Sequence, residues 1–253
     1  MTEPGRTVAL VVEYEGTHFH GFQRQPGLRT VAGELERALS VLCGQPIEVV
    51  GAGRTDAGVH ATGQVVSFVT TFAAPIARMP IALTGMLKDE GIAILRAVER
   101  APGFSARHDA LARTYLYRIL NRLSPSPLLD HRALFVRAPL DVDAMAAAGE
   151  PLLGEHDFTS FCAQPPERGR PVRIVERLQL DRHDDMIELR ITADSFLHQM
   201  VRIIVGTLLD IGRGRRPVSD IHTILAARDR VAAGATAPPH ALYLTHVKYA
   251  DPV

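Results

Sequence analysis

The sequence predicts an α+β protein built from two ferredoxin-like βαββαβ halves whose sheets join around a central cleft. Three observations carry this expectation. Short apolar runs rich in Val, Ile, Leu and Tyr alternate with longer segments of helical periodicity. The first half reads strand, helix, strand, strand, helix, strand, and the second half repeats that order. Apolar residues make up 46% of the 253 positions, enough for a core far beyond the mini-protein limit.

Thr7 to Tyr14 (TVALVVEY) is a nearly continuous apolar strand, the pattern of a strand buried on both faces. A helix follows from Val31 to Cys43, with Val31, Leu35, Ala38, Leu39 and Leu42 on one face. Thr30 suits its N-cap and Gly44 its left-handed C-terminal residue. Ile47 to Gly51 and Gln64 to Thr70 read as strands, Ile76 to Leu87 as a weaker helix interrupted by Pro80 and Gly85, and Ile92 to Val98 as a strand. In the second half, Arg113 to Leu120 is a strand, Asp143 to Leu153 an alanine-rich helix and Val172 to Leu180 a strand. Met186 to Ala193 alternates, with Ile187, Leu189, Ile191 and Ala193 facing one way. Phe196 to Ile211 is a strongly apolar helix, Val218 to Ala227 a shorter one, and Ala241 to Tyr249 a closing strand. The boundary falls between Glu99 and Ala110, giving halves at 1–104 and 105–253. The loops Ser124 to Asp130 and Gln164 to Pro171 are Pro-rich and expected on the surface.

Composition narrows the function classes. No apolar run approaches the eighteen or so residues that span a bilayer, and residues Met1 to Thr7 lack a signal-peptide pattern. A soluble, cytoplasmic protein is the expectation. Cys43 and Cys162 are far apart and fit no metal spacing. Twenty-eight basic and 28 acidic residues cancel, so net charge does not advertise a nucleic-acid binder. Only Lys88 and Lys248 are lysines, however, and arginine grips phosphate bidentately and stacks on bases. A genome-wide preference for Arg codons is the main explanation of the count. There is no P-loop, dinucleotide fingerprint or zinc spacing.

The most informative stretch is Gly51 to Phe68, GAGRTDAGVHATGQVVSF. It lies between two predicted strands and crowds Gly51, Gly53, Gly58 and Gly63 around Arg54, Thr55, Asp56 and His60. Glycine at this density lets the backbone approach a ligand or take positive φ. Taken alone, an Asp two residues from an Arg is as compatible with an exposed turn as with a reactive pair.

The run Arg54-Thr55-Asp56-Ala57-Gly58-Val59-His60-Ala61, continuing as Thr62-Gly63-Gln64-Val65-Val66, resembles the signature of the tRNA pseudouridine synthase A (TruA) family. The resemblance covers almost the whole chain. Glu13-Tyr14-Glu15-Gly16 and Gly21-Phe22-Gln23-Arg24-Gln25 are similar to the family's opening. Phe104-Ser105-Ala106-Arg107, Ala112-Arg113-Thr114-Tyr115-Leu116-Tyr117, Gly154 to Phe161 and Phe196-Leu197-His198-Gln199-Met200-Val201-Arg202 match later blocks in order. Three positions depart from the pattern. Phe22 replaces a usual Trp, Thr84 to Glu90 lacks the usual Asn and Leu-Pro pair, and Ala241 replaces a usual Gly. They bear on substrate contacts and loop shape more than on chemistry.

The resemblance implies a cofactor-free, metal-free isomerisation of uridine at positions 38, 39 and 40 of the tRNA anticodon arm, by a homodimer with one tRNA across both subunits. It makes Asp56 the catalytic carboxylate of the cleft. Attack on the ribose C1′, attack on the base C6 and removal of a ribose proton all stay open. Burial disfavours an ionised carboxylate, so a nearby cation is required. Arg202, inside the apolar run Met200 to Ile204, is the family's candidate, and an arginine snorkelling to water is the alternative. Tyr115 resembles the tyrosine that stacks on the target uracil and can relay the C5 proton. Arg54 is implied to fill the space left by the extruded base or to hold phosphate. Arg24, Arg107 and Arg168 are candidates for an arginine-rich RNA path. His60 and His198 read as local hydrogen-bonding groups near the cleft, with His60 among the substrate-binding candidates. His18 and His20 lack a third metal ligand nearby in sequence. Two other readings compete. A non-catalytic RNA-binding module lacks the usual aromatic signature and carries an Asp in its richest motif. A metal-dependent phosphoesterase lacks an Asp/Glu/His cluster.

Overall fold

The computed structural model describes residues 5–164 and 169–253. Arg168 lies outside the described residues. The protein is α+β, and its residues divide into two compact units. One runs to Arg113 and resumes at Tyr243–Val253, and the other is Thr114–Leu242.

The first unit begins with β1 (Arg6–Tyr14), α1 (Val31–Cys43), β2 (Val50–Gly51) and β3 (His60–Thr70). It continues with α2 (Met79–Leu87) and β4 (Ile92–Arg100). β1 pairs antiparallel with β3 on one side (Leu10↔Val66) and with β4 on the other (Leu10↔Ala97). β2 takes up the second edge of β3 through Val50↔Ser67 and Gly51↔Val66. The order β4-β1-β3-β2 is the split βαβ arrangement that the element order predicts. In the second unit come β5 (Ala112–Asn121), β6 (Leu134–Val136), α3 (Val142–Gly149), β7 (Gly154–Asp157) and β8 (Val172–His183). β9 (Met186–Ala193), α4 (Met200–Gly212) and α5 (Asp220–Ala227) follow. Its strands lie in the order β5-β9-β8-β7, with β6 parallel to the end of β5. The last strand, β10 (Leu242–Lys248), returns the chain to the first unit. There it runs parallel to β3 through Tyr243↔His60 and Leu244↔Ala61.

Local chemistry explains the elements. Thr30 accepts from Gly33 N at 3.2 Å, and Gly44 at φ 66° stops α1. Val31, Leu35, Ala38 and Leu39 are the buried stripe of α1, which packs on α2, and α2 packs on β4. Val8, Ala9, Leu10 and Val12 are all fully buried, so the middle of β1 is covered on both faces, and only toward its end does Glu13 reach solvent. Beyond β4 the chain crosses the first unit's sheet, where Ala106 N donates to Ser67 Oγ at 2.9 Å and Tyr249 Oη donates to the Ala106 carbonyl at 2.7 Å.

Several boundaries differ from the sequence expectation for identifiable reasons. The strand expected from Ile47 shortens to Val50–Gly51, because Ile47 N donates to Ser40 Oγ and Val49 N to Glu36 Oε1 instead of to a neighbouring strand. Pro80 does not interrupt α2. It stands in the first turn, where its missing N–H is harmless. Helix α4 begins at Met200 rather than Phe196, since Gln199 is left-handed (φ 60°) and the His198 carbonyl accepts from Ala163 N. Eleven of the thirteen α4 residues are buried, and α4 lies against α3.

Candidate active site

Asp56 sits half-buried on the loop joining β2 to β3. The loop leaves the sheet at Ala52, whose N–H makes a last ladder bond to the Val65 carbonyl (2.8 Å). Side chains from the flanking strands then take over. Gln64, fully buried in β3, donates Nε2–H to the Gly53 carbonyl (2.8 Å) and accepts from Gly53 N (3.4 Å). The same Nε2 reaches Tyr14 Oη at 3.5 Å, and Tyr14 Oη lies 2.8 Å from Thr55 Oγ1. Burial pushes the Tyr14 phenol up to about 12, so the hydroxyl keeps its proton. Backbone bonds complete the frame: Phe22 N to the Thr55 carbonyl (3.0 Å) and Val59 N to the Asp56 carbonyl (3.1 Å). Gly21 is required beneath the loop. Its φ is +89°, and a Cβ there would stand 2.9 Å from the Thr55 carbonyl oxygen. Phe22, the departure from Trp, is buried with its ring against Gly51 and 6.5 Å from the Tyr14 ring.

His60 is 2% exposed. Its Nδ1 accepts from Gly16 N at 3.0 Å, which assigns the lone pair to Nδ1, and its ring stacks on Tyr243 at 4.7 Å. Beside Ala57 and Gly58 opens a cleft of about 510 Å³, lined also by Thr17, His18, Phe19 and His20. Among the described residues no three His, Cys, Asp or Glu side chains converge to hold a metal.

Arg54, at the tip of the loop, is exposed. Arg24 is also exposed, 3.4 Å from Glu36. The Arg107 side chain is exposed while its carbonyl accepts from Arg113 Nη2 (2.7 Å). Arg113 also donates Nε and Nη2 to the Ala52 carbonyl, at 3.2 and 2.9 Å, so a residue of the matched blocks supports the loop from below.

In the second unit, Tyr115 on β5 is buried, with its ring edge-on to Phe196 at 5.1 Å. Phe196 can make this contact because it precedes α4 rather than belonging to it. Arg202 lies in the first turn of α4, half-buried. Its Nε donates to the Ala237 carbonyl at 2.8 Å, and Ala237 N donates back to the Arg202 carbonyl at 3.0 Å. Tyr117, one β-period from Tyr115, is buried and donates Oη to the Pro238 carbonyl (2.9 Å). Burial raises its phenol, partly opposed by the Arg202 charge. Tyr117 therefore fits a core role. Cys162 is buried and Cys43 half-buried, both as free thiols.

The sequence singled out Asp56, Arg54 and His60 but not the residues that hold them. Tyr14 and Gln64 fall within the matched blocks but carry no role there, and their local pattern is slight: a phenol ending an apolar strand, and a lone amide at the start of another.

Comparison with known proteins follows from these features. A family model described as tRNA pseudouridine synthase matches residues 10–109 and 148–250, spanning both units. A tRNA pseudouridine synthase A from Brucella ovis is 44% identical over 245 residues, covering 96% of this chain and 98% of the relative. The Brucella melitensis biotype 1 protein of the same description shows the same identity and coverage. A chain from the crystal structure of a Cbf5-Nop10-Gar1 complex aligns over 95% of this chain and 50% of its own, at 12% identity and a TM-score of 0.37, too low to bear on the assignment. The chain belongs to the tRNA pseudouridine synthase family, isomerases that act on tRNA. No helix among the described residues is long and apolar enough to cross a membrane.

Proposed function

We propose that this enzyme converts uridine to pseudouridine at positions 38, 39 and 40 of the tRNA anticodon stem-loop, with Asp56 as nucleophile. The observation that carries the reading is the Asp56 loop itself: a carboxylate in the family signature, on a segment braced on both sides by buried side chains. A nucleophile must be held close to its productive geometry, and such bracing supplies that.

The reaction breaks the bond between N1 and C1′, turns the base, and forms a bond from C5 to C1′ while C5 loses a proton and N1 gains one. It is balanced without an oxidant, a reductant or hydrolysis, so we assign it no cofactor and no metal. An ionised carboxylate at Asp56 attacks C1′ or C6, or removes a ribose proton. We assign Tyr115 to stack on the uracil and relay the C5 proton, and Arg202 as the cation of the catalytic set. Arg54 holds the strand from which the target base is extruded, and Arg24 and Arg107 contact phosphates. His60 supports binding through the turn at Gly16. We propose a cytoplasmic homodimer that reads the shape and backbone of the anticodon arm.

The test is Asp56→Asn, nearly isosteric but unable to act as nucleophile, assayed by mapping pseudouridine in unmodified tRNA with EDTA present. Turnover should fall at least roughly a thousandfold, with tRNA affinity retained. Wild-type turnover by the mutant removes Asp56 from the mechanism. Modification at sites other than 38 to 40 overturns the positional assignment.

A further inference from the structure

We infer that Tyr14, Thr55 and Gln64 form a positioning relay that aims Asp56, acting on the chemical step rather than on RNA binding or on the stability of the sheet. The inference rests on Asp56 as the reacting group.

Between the Ala52 ladder bond and the start of β3, the chain leaves the sheet, and single backbone bonds reach it from Phe22 N to Thr55 O and from Val59 N to Asp56 O. A glycine-containing segment of this kind samples many conformations unless something else fixes it. Gln64 fixes its base. By accepting from Gly53 N and donating to Gly53 O, its amide imitates one more rung of the β-ladder. The second N–H of the amide points at Tyr14 Oη. Tyr14 Oη in turn shares a hydrogen bond of 2.8 Å with Thr55 Oγ1, in which either hydroxyl can donate. The side-chain bonds therefore run unbroken from Gln64 through Tyr14 to Thr55, the residue bonded directly to Asp56.

All three side chains are shut off from water, Gln64 at 0%, Tyr14 at 3% and Thr55 at 6% exposure. None of them can touch the RNA, so an effect on catalysis must pass through the loop. The relay also starts from rigid supports. Tyr14 is fully paired within β1, opposite Ala61 on β3 and Ile92 on β4. The loop is thereby referenced to two strands at once, which suits a group whose misplacement by about 1 Å can lower the rate about a hundredfold.

Tyr14→Phe removes one oxygen and keeps the ring, and Thr55→Val removes the hydroxyl with little change of shape. Each should lower kcat roughly tenfold to a hundredfold, leave KM for tRNA within about twofold, and shift Tm by only roughly 2–4 °C. The double variant should match the worse single variant rather than multiply the two losses, because both cut the same chain. Thr55→Ser should recover most of the kcat lost in Thr55→Val. A purely structural role predicts lowered Tm with wild-type kcat per folded molecule, and that result overturns the inference. So do multiplicative losses in the double variant. If Asp56→Asn proves active, the nucleophile assignment fails first. If Asp56→Asn is dead while Tyr14→Phe and Thr55→Val keep kcat, only the relay fails.

Discussion

The two segments that carry the proposed catalytic charges are held in opposite ways. Asp56 rides on a loop whose backbone is sparsely paired, and polar side chains hold it: Tyr14, Thr55, Gln64 and, from below, Arg113. Arg202 rides on the first turn of α4, where its Nε donates to the Ala237 carbonyl and its own carbonyl accepts from Ala237 N. A loop offers few regular partners, so sequence must supply buried polar side chains, each of which must be satisfied. A helix already pairs its own amides and needs only neighbours small enough to come close. Gly206 meets that need one turn further along, where a Cβ would stand 1.7 Å from the Ala235 carbonyl oxygen.

Substitutions can break this contrast, and the largest effect should come from the helix. Gly206→Val pushes a branched side chain into the Ala235 backbone, which cannot move without displacing the Ala237 pair. The cost should reach the exceptional range of about 4–5 kcal/mol, visible as a collapsed urea midpoint. A midpoint within error of wild type would show that the backbone contact is not what seats α4. Arg202→Met should come next. It strips the Nε donor from the buried Ala237 carbonyl, worth about 1–3 kcal/mol, and removes the charge assigned to catalysis. Arg202→Lys should restore charge but not the planar fork, so its midpoint and kcat should fall between Met and wild type. Equal kcat for Met and wild type would discard the catalytic assignment of Arg202. The smallest loss of stability should be in the loop. Gly21→Ala costs about 1–2 kcal/mol through its positive φ and presses on Thr55. Here kcat should fall by more than stability alone explains, at saturating tRNA. A loss of Tm without loss of kcat would mean that the loop tolerates displacement.

The same contrast governs what could be read from sequence. Helix α1 was legible at both ends, since Thr30 and Gly44 are local signals, and its stripe was read except that Ala32 rather than Leu42 is buried. The β8–β9 hairpin's second strand was equally plain in the alternation of Ile187, Leu189 and Ile191. Strands β6 and β7 went unseen because three or four residues show no period, and their pairing is set by neighbours distant in sequence. The start of α4 was misplaced because nothing in Phe196-Leu197-His198-Gln199 forbids a helix. The left-handed Gln199 is imposed by contacts such as that of the His198 carbonyl with Ala163. At the site, Asp56, Arg54 and His60 stood out by motif. The relay did not, because Tyr14 and Gln64 are 50 residues apart and meet only through the β1–β3 register.

That β10 lies parallel to β3 has a consequence for how the protein is made. The strand beside His60 and Ala61 emerges from the ribosome only after all of Thr114–Leu242 has been synthesised. At about 5–20 residues per second the interval is roughly 6–26 s. For that time the nascent first unit lacks the β10 partner of His60 and Ala61 on one edge of β3, and Ala106 lacks the Tyr249 hydroxyl. An unpaired strand edge is a site for wrong partners. Cotranslational maturation of the Asp56 loop is thus tied to a segment made only after the whole second unit. A released chain ending at Leu242 should show the second unit protected from protease and the first still open to cleavage near His60.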